Sequence, residues 1–301
     1  MSAIVHYPAY LVVLCLWALI RRLPARRAYA VGAALGRWAY PFAGSRRRIA
    51  VDNLLQAGIA PDRAAAVRLA RASLTHFVGH LLEGLKSAEF LTPEHVARHV
   101  TREVPESTRD LLAKPGEPVM MLTPHLGCWE VGLHLLTAIK PTLGLASPVK
   151  NPLIQGFISR HFRAGAEIYS NKHGFSSALV KRWNEGRVLG MVIDQHAGRH
   201  GIWRDFLGRP ASIHTSPARL YLATRHPIIV GAFVRTGPLS YHMVLSEPLT
   251  FALTGDRERD TMTILDTITR IFETYIRRYP EQYLWFHRRW RKQPATIRRR
   301  F

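Results

Sequence analysis

Cysteine is scarce: Cys15 and Cys128 are the only two in 301 residues. They lie in very different settings, and no zinc-ligand spacing surrounds either, which argues against a disulfide framework or a zinc module. Acidic residues are scarce as well, 21 Asp and Glu against 42 Lys and Arg, leaving a formal net charge of +21. That excess is far beyond what solubility requires and implies a polyanionic partner. Nucleic acid, an anionic membrane face, an acidic carrier protein and a phosphorylated lipid all qualify, and charge alone does not rank them. Internal repeats, low-complexity stretches and a mid-chain linker are missing, apart from an arginine-rich end. A single α/β domain behind an N-terminal segment fits that texture. With 47% hydrophobic and 21% charged residues, the chain falls outside the disordered class.

What is present begins with the N-terminus. No charge interrupts Tyr7 to Ile20, YPAYLVVLCLWALI, and Arg21, Arg22, Arg26 and Arg27 follow at once. A bilayer core needs roughly 20 apolar residues, so this run makes a short span only when counted from Ala3. The positive residues follow the run instead of preceding it, and no small-residue cleavage site is evident, which argues against a signal peptide. The expectation is a membrane anchor over residues 1–27 and a folded domain over 28–301, kept in the cytoplasm by the arginines. A buried or interfacial helix is the plainer alternative.

Residues 28–90 carry apolar positions at three- and four-residue spacing with little β-branching, which predicts helices. After Glu117 short β-rich runs, 119–122, 143–149, 188–193, 228–234 and 242–245, alternate with helical stretches at 129–139, 152–164, 175–185 and 260–279. This alternation predicts an α/β fold: a mixed, mainly parallel sheet flanked by helices, its last strands antiparallel, behind the N-terminal membrane-anchoring helix.

The segment 118–132, PVMMLTPHLGCWEVG, leads from an apolar strand through His125 into a helix expected to begin near Gly127. His125 and Glu130 are five apart, about 140° around one continuous helix, so they meet only if His125 precedes the helix and Glu130 lies in its first turn. Pro124 and Gly127 favour that break. The imidazole is then oriented by the carboxylate and takes a proton from a hydroxyl nucleophile. The adjoining helix N-terminus favours a developing oxyanion. In the plainer reading His125 is a turn residue. Cys128, with little besides His125 to lower its pKa, reads as a small apolar residue.

Two further blocks stand out. Asp194 and Gln195 leave an apolar strand at its C-terminal end, where α/β sheets place their sites, and open DQHAGRHGIWRDFLGRPA, a loop rich in glycine and arginine. Those glycines serve turns, and the arginines a solvated face, in the structural reading. In PEQYLWFHRRWRK, residues 280–292, aromatics interleave with cations. An interfacial surface, a single-strand-binding surface and a buried core with solvated arginines all produce that pattern.

In this order and spacing the motifs HLGCWE, NPLIQGFISR, DQHAGRHGIWRDFLGRPA and PEQYLWFHRRWR resemble the late acyltransferases of lipid A biosynthesis, the lauroyl/myristoyl family of the lysophospholipid acyltransferase-like group. The resemblance spans nearly the whole chain. It implies that His125 is the catalytic base and Glu130 its acidic partner, in a His-four residues-Asp/Glu pattern. It implies that Arg160, closing NPLIQGFISR, contacts the acceptor or the reacting acyl group. Asp194 and Gln195 match the step opening the third block, and Phe206, Gly208, Arg209 and Pro210 match its Phe-x-Gly-x-Pro segment, so Asp194, Gln195 and Arg209 are expected to bind substrate. After Pro210 the chain reads ASIHTSPARL instead of a Thr-Pro-Thr-Gly-like turn, so His214 and Ser216 reshape that rim. The missing Pro-Glu-Gly step tilts away from glycerol-phosphate acceptors.

The resemblance further implies an acyl donor on acyl carrier protein or CoA, a phosphorylated glycolipid acceptor such as a lipid A precursor, and an inner-membrane location. It calls for no cofactor, no metal and no covalent acyl-enzyme. The basic charge then serves the carrier, the acceptor phosphates and the anionic leaflet together. Two rivals remain. A nucleic-acid-binding protein accounts for the charge but leaves the apolar N-terminus unexplained and lacks a recognised motif. A membrane-associated ester or thioester hydrolase would use the same His-Glu pair with water as acceptor.

Overall fold

The computed structural model describes residues 6–92, 95–146, 149–161, 165–170 and 175–291. Four helices come first: α1 (Tyr7–Arg22), α2 (Ala25–Ala39), α3 (Gly44–Gln56) and α4 (Arg63–Gly84). The α/β part follows as α5 (Val96–His99), β1 (Val100–Glu103), α6 (Glu106–Ala113), β2 (Val119–Thr123), α7 (Trp129–Ile139), β3 (Thr142–Ala146), α8 (Pro152–His161), β4 (Glu167–Ser170), α9 (Ser177–Trp183) and β5 (Val188–Val192). The chain then runs through β6 (Ile202–Phe206), β7 (Arg209–Ile213), α10 (Ser216–Thr224), β8 (Ile228–Gly237), β9 (Ser240–Leu245) and α11 (Arg257–Arg278).

Seven strands form one sheet in the order β1-β9-β8-β2-β5-β3-β4. Every neighbouring pair is parallel except the β8–β9 hairpin. The expected mainly parallel sheet with late antiparallel strands is therefore what forms. β2 lies at the centre, and all five of its residues, VMMLT, are buried, as a parallel strand covered on both faces requires. The helix predicted at 129–139 has those bounds, and 260–279 becomes α11, capped by Asp256 and closed by Arg277 and Arg278. The end of the helix expected over 152–164, part of the strand expected over 143–149, and Lys292 lie outside the described residues.

Residues 202–213 correct the expected loop. They form a separate antiparallel hairpin, β6–β7, turned at Leu207 (φ 53°) and Gly208 (φ 76°). Two positive φ angles in a two-residue loop match the twist of paired strands. Arg204 binds Asp266, and Glu273 Oε1 accepts from Leu207 N at 2.6 Å, holding the hairpin on α11.

Helices α2 and α4 touch at backbone distance. A Cβ at Gly32 would lie 2.6 Å from the Val78 carbonyl oxygen, so only glycine fits there. A buried knot then ties these helices to the sheet. Glu83, 0% exposed, accepts from Arg235 Nε (2.8 Å) and the Tyr241 hydroxyl (2.8 Å), while the guanidinium of Arg235 stacks 3.5 Å over Tyr29.

Helix α1 buries none of its residues and turns Tyr7, Leu11, Val12, Leu16 and Leu19 outward. It docks on α8 through Trp17, edge-on to Phe157 at 5.6 Å. Its 16 residues span about 24 Å, short of the roughly 30 Å of a bilayer core. Among the described residues no helix is long and apolar enough to cross a membrane, so the expected short span is not found.

Candidate active site

β2 and β5 run side by side in parallel, with Thr123 opposite Val192. Two residues beyond that register pair stand His125 and Asp194, so the sheet brings together groups 69 positions apart. The chain breaks after His125 because Gly127 takes φ +67°, and a side chain there would overlap the Phe233 carbonyl oxygen. α7 begins at Trp129, leaving His125 on the turn and Glu130 in the first helical turn as anticipated.

The hydrogen bond expected between His125 and Glu130 is replaced by another. His125 Nδ1 donates to Asp194 Oδ1 at 2.5 Å, which leaves the lone pair on Nε2, where the Gln195 amide lies at 3.3 Å. Burial opposes a charge on His125, but Asp194, by charge and hydrogen bond, and Glu130 more weakly, raise its pKa above the usual histidine value. Asp194 is 4% exposed. Burial alone would raise its pKa, yet the charge and hydrogen bond of His125, the Tyr283 hydroxyl and the Arg289 guanidinium bring it down to about 2. Asp194 is thus a fixed anion behind the imidazole.

Glu130 turns elsewhere. Its Oε2 faces His80 Nδ1 on α4 at 3.4 Å, while about a third of the side chain remains open. Burial, only partly offset by its own backbone N–H and by His125, holds its carboxyl at about 7. Cys128 is 1% exposed and its thiol is pushed well up by burial, which supports the apolar reading.

His125, Glu130 and Gln195 open onto a cavity of about 1350 Å³. Leu133, Leu145, Ile158, Ile168 and Phe175 give much of it an apolar wall, and His196, His214, Ser216 and Arg219 a polar one. Gly144 and Gly190, paired across β3 and β5, leave the sheet face bare inside the cavity. Arg160 is exposed near the end of α8 and outside the cavity wall, which α8 joins through Ile158. Arg209 is also outside it, 5.0 Å over the Trp290 ring. The structure therefore unites His125, Asp194 and Gln195, keeps Glu130 close, and leaves Arg160 and Arg209 apart. Among the described residues no group of three or more His, Cys, Asp or Glu could hold a metal ion.

Sequence reasoning missed Tyr283 and Arg289 as supports of Asp194, His80 as the neighbour of Glu130, and Arg219. Tyr283 and Arg289 lie in the aromatic-cationic block, and their burial, with that of Trp285 and Phe286, selects the core reading for those residues. Arg289 Nη1 donates to the Ser212 carbonyl at 2.6 Å, and Arg288 and Arg291 are solvated.

The model of the bacterial lipid A biosynthesis acyltransferase family matches residues 2–292. The lipid A biosynthesis lauroyltransferase of Escherichia coli (strain K12) is 23% identical over 295 residues, covering 95% of this chain and 92% of that protein. Among solved structures, the 1-acyl-sn-glycerophosphate (LPA) acyltransferase from Thermotoga maritima aligns with 81% of this chain and 98% of its own, at 12% identity and a TM-score of 0.35.

Proposed function

We propose, from the premise that the chain belongs to the bacterial lipid A biosynthesis acyltransferase family and is an acyltransferase, that His125 is the general base moving a fatty acyl group from a thioester to a glycolipid hydroxyl. One observation carries this reading: Asp194 takes His125 Nδ1 at 2.5 Å, which leaves Nε2 basic and facing a large, mainly apolar cavity.

The acceptor hydroxyl displaces the Gln195 amide from Nε2 and gives the nitrogen its proton as the oxygen attacks the thioester carbonyl. Asp194 steadies the imidazolium so formed, and Glu130, in its ionised form, adds a weaker second negative charge nearby. The Gln195 amide and the N-terminal end of α7 can stabilise the tetrahedral oxyanion. Collapse breaks the carbon–sulfur bond, and the imidazolium returns its proton to the leaving thiolate. In this reading the acyl chain, brought by acyl carrier protein or CoA, fills the apolar wall. A phosphorylated lipid A precursor or related glycolipid meets His214 and Arg219. Arg160 and Arg209, outside the cavity wall, are left to contact the acceptor or the donor's carrier beyond the reacting groups.

Membrane association belongs to the same proposal. The first 51 residues contain eight arginines and no acidic residue. Trp38 at the end of α2 and Phe42 just after it are 70% and 74% exposed, with their rings 5.3 Å apart, and add apolar surface to that turned outward by α1. An amphipathic surface of this kind sits in an anionic interface without spanning it, which suits the cytoplasmic side of the inner membrane. The test is a thioester offered to the purified chain with and without lipid A precursor. Acylated glycolipid is expected only with acceptor present. Free acid released at the same rate in both cases would make the protein a hydrolase.

A further inference from the structure

Two buried imidazoles on α4 take no part in the reaction described above. His76 and His80 are 5% and 1% exposed, and their rings stack at 5.1 Å. His76 is satisfied by the Gly127 carbonyl at 3.3 Å. Among the described residues, neither nitrogen of His80 has a hydrogen-bond partner, and neither does Oε2 of Glu130. Buried polar atoms left unmatched are unfavourable. Here the two unmatched groups confront each other, Nδ1 to Oε2, at 3.4 Å.

We propose that His80 is a positioning residue of the acyl-transfer site: its Nδ1–H holds one oxygen of Glu130, keeping the rest of that carboxyl group on the cavity wall beside His125. The inference rests on the role of His125 as base. Burial keeps His80 neutral, with a pKa well below the usual value, so it acts as a donor without adding charge. Trp129 stands edge-on to both imidazoles, 4.6 Å from His80 and 5.1 Å from His125. The polar path from His80 to the site therefore runs through Glu130. The titratable groups around Glu130 are His80, with His76 behind it, from α4, His134 one turn on along α7 and in the same cavity wall, His125 from the turn and Cys128 beside it. Glu83 and Arg235 lie further back, paired with each other, and β8 contributes the non-titrating Phe233 to the cavity wall.

The test measures kcat, KM, Tm and the pH profile of the full chain with a long-chain acyl thioester and lipid A precursor. Asparagine sets an amide nitrogen near the position of Nδ1, and glutamine near that of Nε2. His80→Phe and His80→Gln are expected to lower kcat roughly tenfold, about one lost hydrogen bond in the transition state, with KM unchanged. His80→Asn should retain most of the turnover. In His80→Phe the limb reporting Glu130 ionisation should move to higher pH, because the carboxylate has lost a donor. Adding His80→Phe to Glu130→Gln should cost nothing further. Equal losses in all three His80 variants that track Tm, normal turnover in His80→Phe, or additive losses with Glu130→Gln would each overturn the proposal. His125→Ala keeps the two levels separate: if it still transfers acyl groups the base assignment fails, and if it is inactive while His80→Phe is normal, only the inference about His80 fails.

Discussion

The turn after β2 and the end of α4 each bury an imidazole against the start of α7, and the two groups titrate in opposite directions. At His125 a buried anion, Asp194, takes Nδ1 and raises the pKa despite desolvation. At His80 burial is greater, the facing carboxylate oxygen of Glu130 stands off at 3.4 Å, and the pKa falls well below the usual value. Burial by itself makes histidine a neutral filler. One fixed carboxylate on the far nitrogen makes it a base.

The widest gap between the two regions should appear on truncation. His125→Ala is expected to lower kcat by at least roughly 100-fold, the scale of a lost general base, whereas the positioning variant His80→Phe should lose far less. Steady-state kinetics on folded protein checks both. Next, Asp194→Asn keeps the volume but removes the anion, and should reduce kcat by roughly 10- to 100-fold. Its pH profile should show the His125 limb moved to lower pH, since the charge that raised that pKa is gone. An unmoved limb would mean that Asp194 does not set the basicity of His125.

The α4 side should reveal itself in stability. The pKa of His76 falls to about 4 in the fold, so between the usual 6.5 and 4 the unfolded chain binds the proton that the fold refuses. Its contribution is full above pH 6.5 and declines as pH falls, by roughly 3 kcal/mol across that window. Asp194, at about 2 in the fold against a usual 3.8, acts lower, its contribution being lost from pH 3.8 down to 2. Urea unfolding of His76→Phe should therefore vary less than wild type between pH 6.5 and 4. The smallest effect is one that should leave both imidazoles alone. A Cβ at Gly190 meets nothing nearer than 3.6 Å, so Gly190→Leu should fill part of the cavity and shift preference roughly five- to tenfold toward shorter acyl chains, about 1 kcal/mol. Competition between thioesters of different length, with both pH limbs unchanged, would separate chain selection from proton transfer.

The elements themselves were largely legible. VMML is apolar throughout, and the break at Gly127 is written in Pro124 and the glycine, so the position of His125 before α7 followed from local chemistry. The β6–β7 hairpin was hidden because its turn uses Leu207 in a conformation that marks glycine or asparagine, and because Arg204 and Asp205 sit within its first strand. The Asp194 partnership was hidden for a different reason. Both residues were visible at strand ends, but strand order is a long-range property, and only the adjacency of β2 and β5 decides that Asp194 reaches Nδ1. The same holds for Tyr283 and Arg289, whose roles depend on where the end of the chain returns to the sheet.

The knot around Glu83 has a consequence for how the molecule comes apart. Its members come from α2, α4 and the β8–β9 hairpin: opening α4 or the hairpin strands a buried carboxylate or guanidinium without its counter-charge, and opening α2 removes the Tyr29 ring that covers the guanidinium. Amide protons in those three regions should therefore exchange with solvent as a single cooperative unit, whereas α1, which buries none of its residues, is free to fray at much lower free energy. Peeling away the first helix is a local event; disturbing the second loosens the strands that support the Gly127 turn.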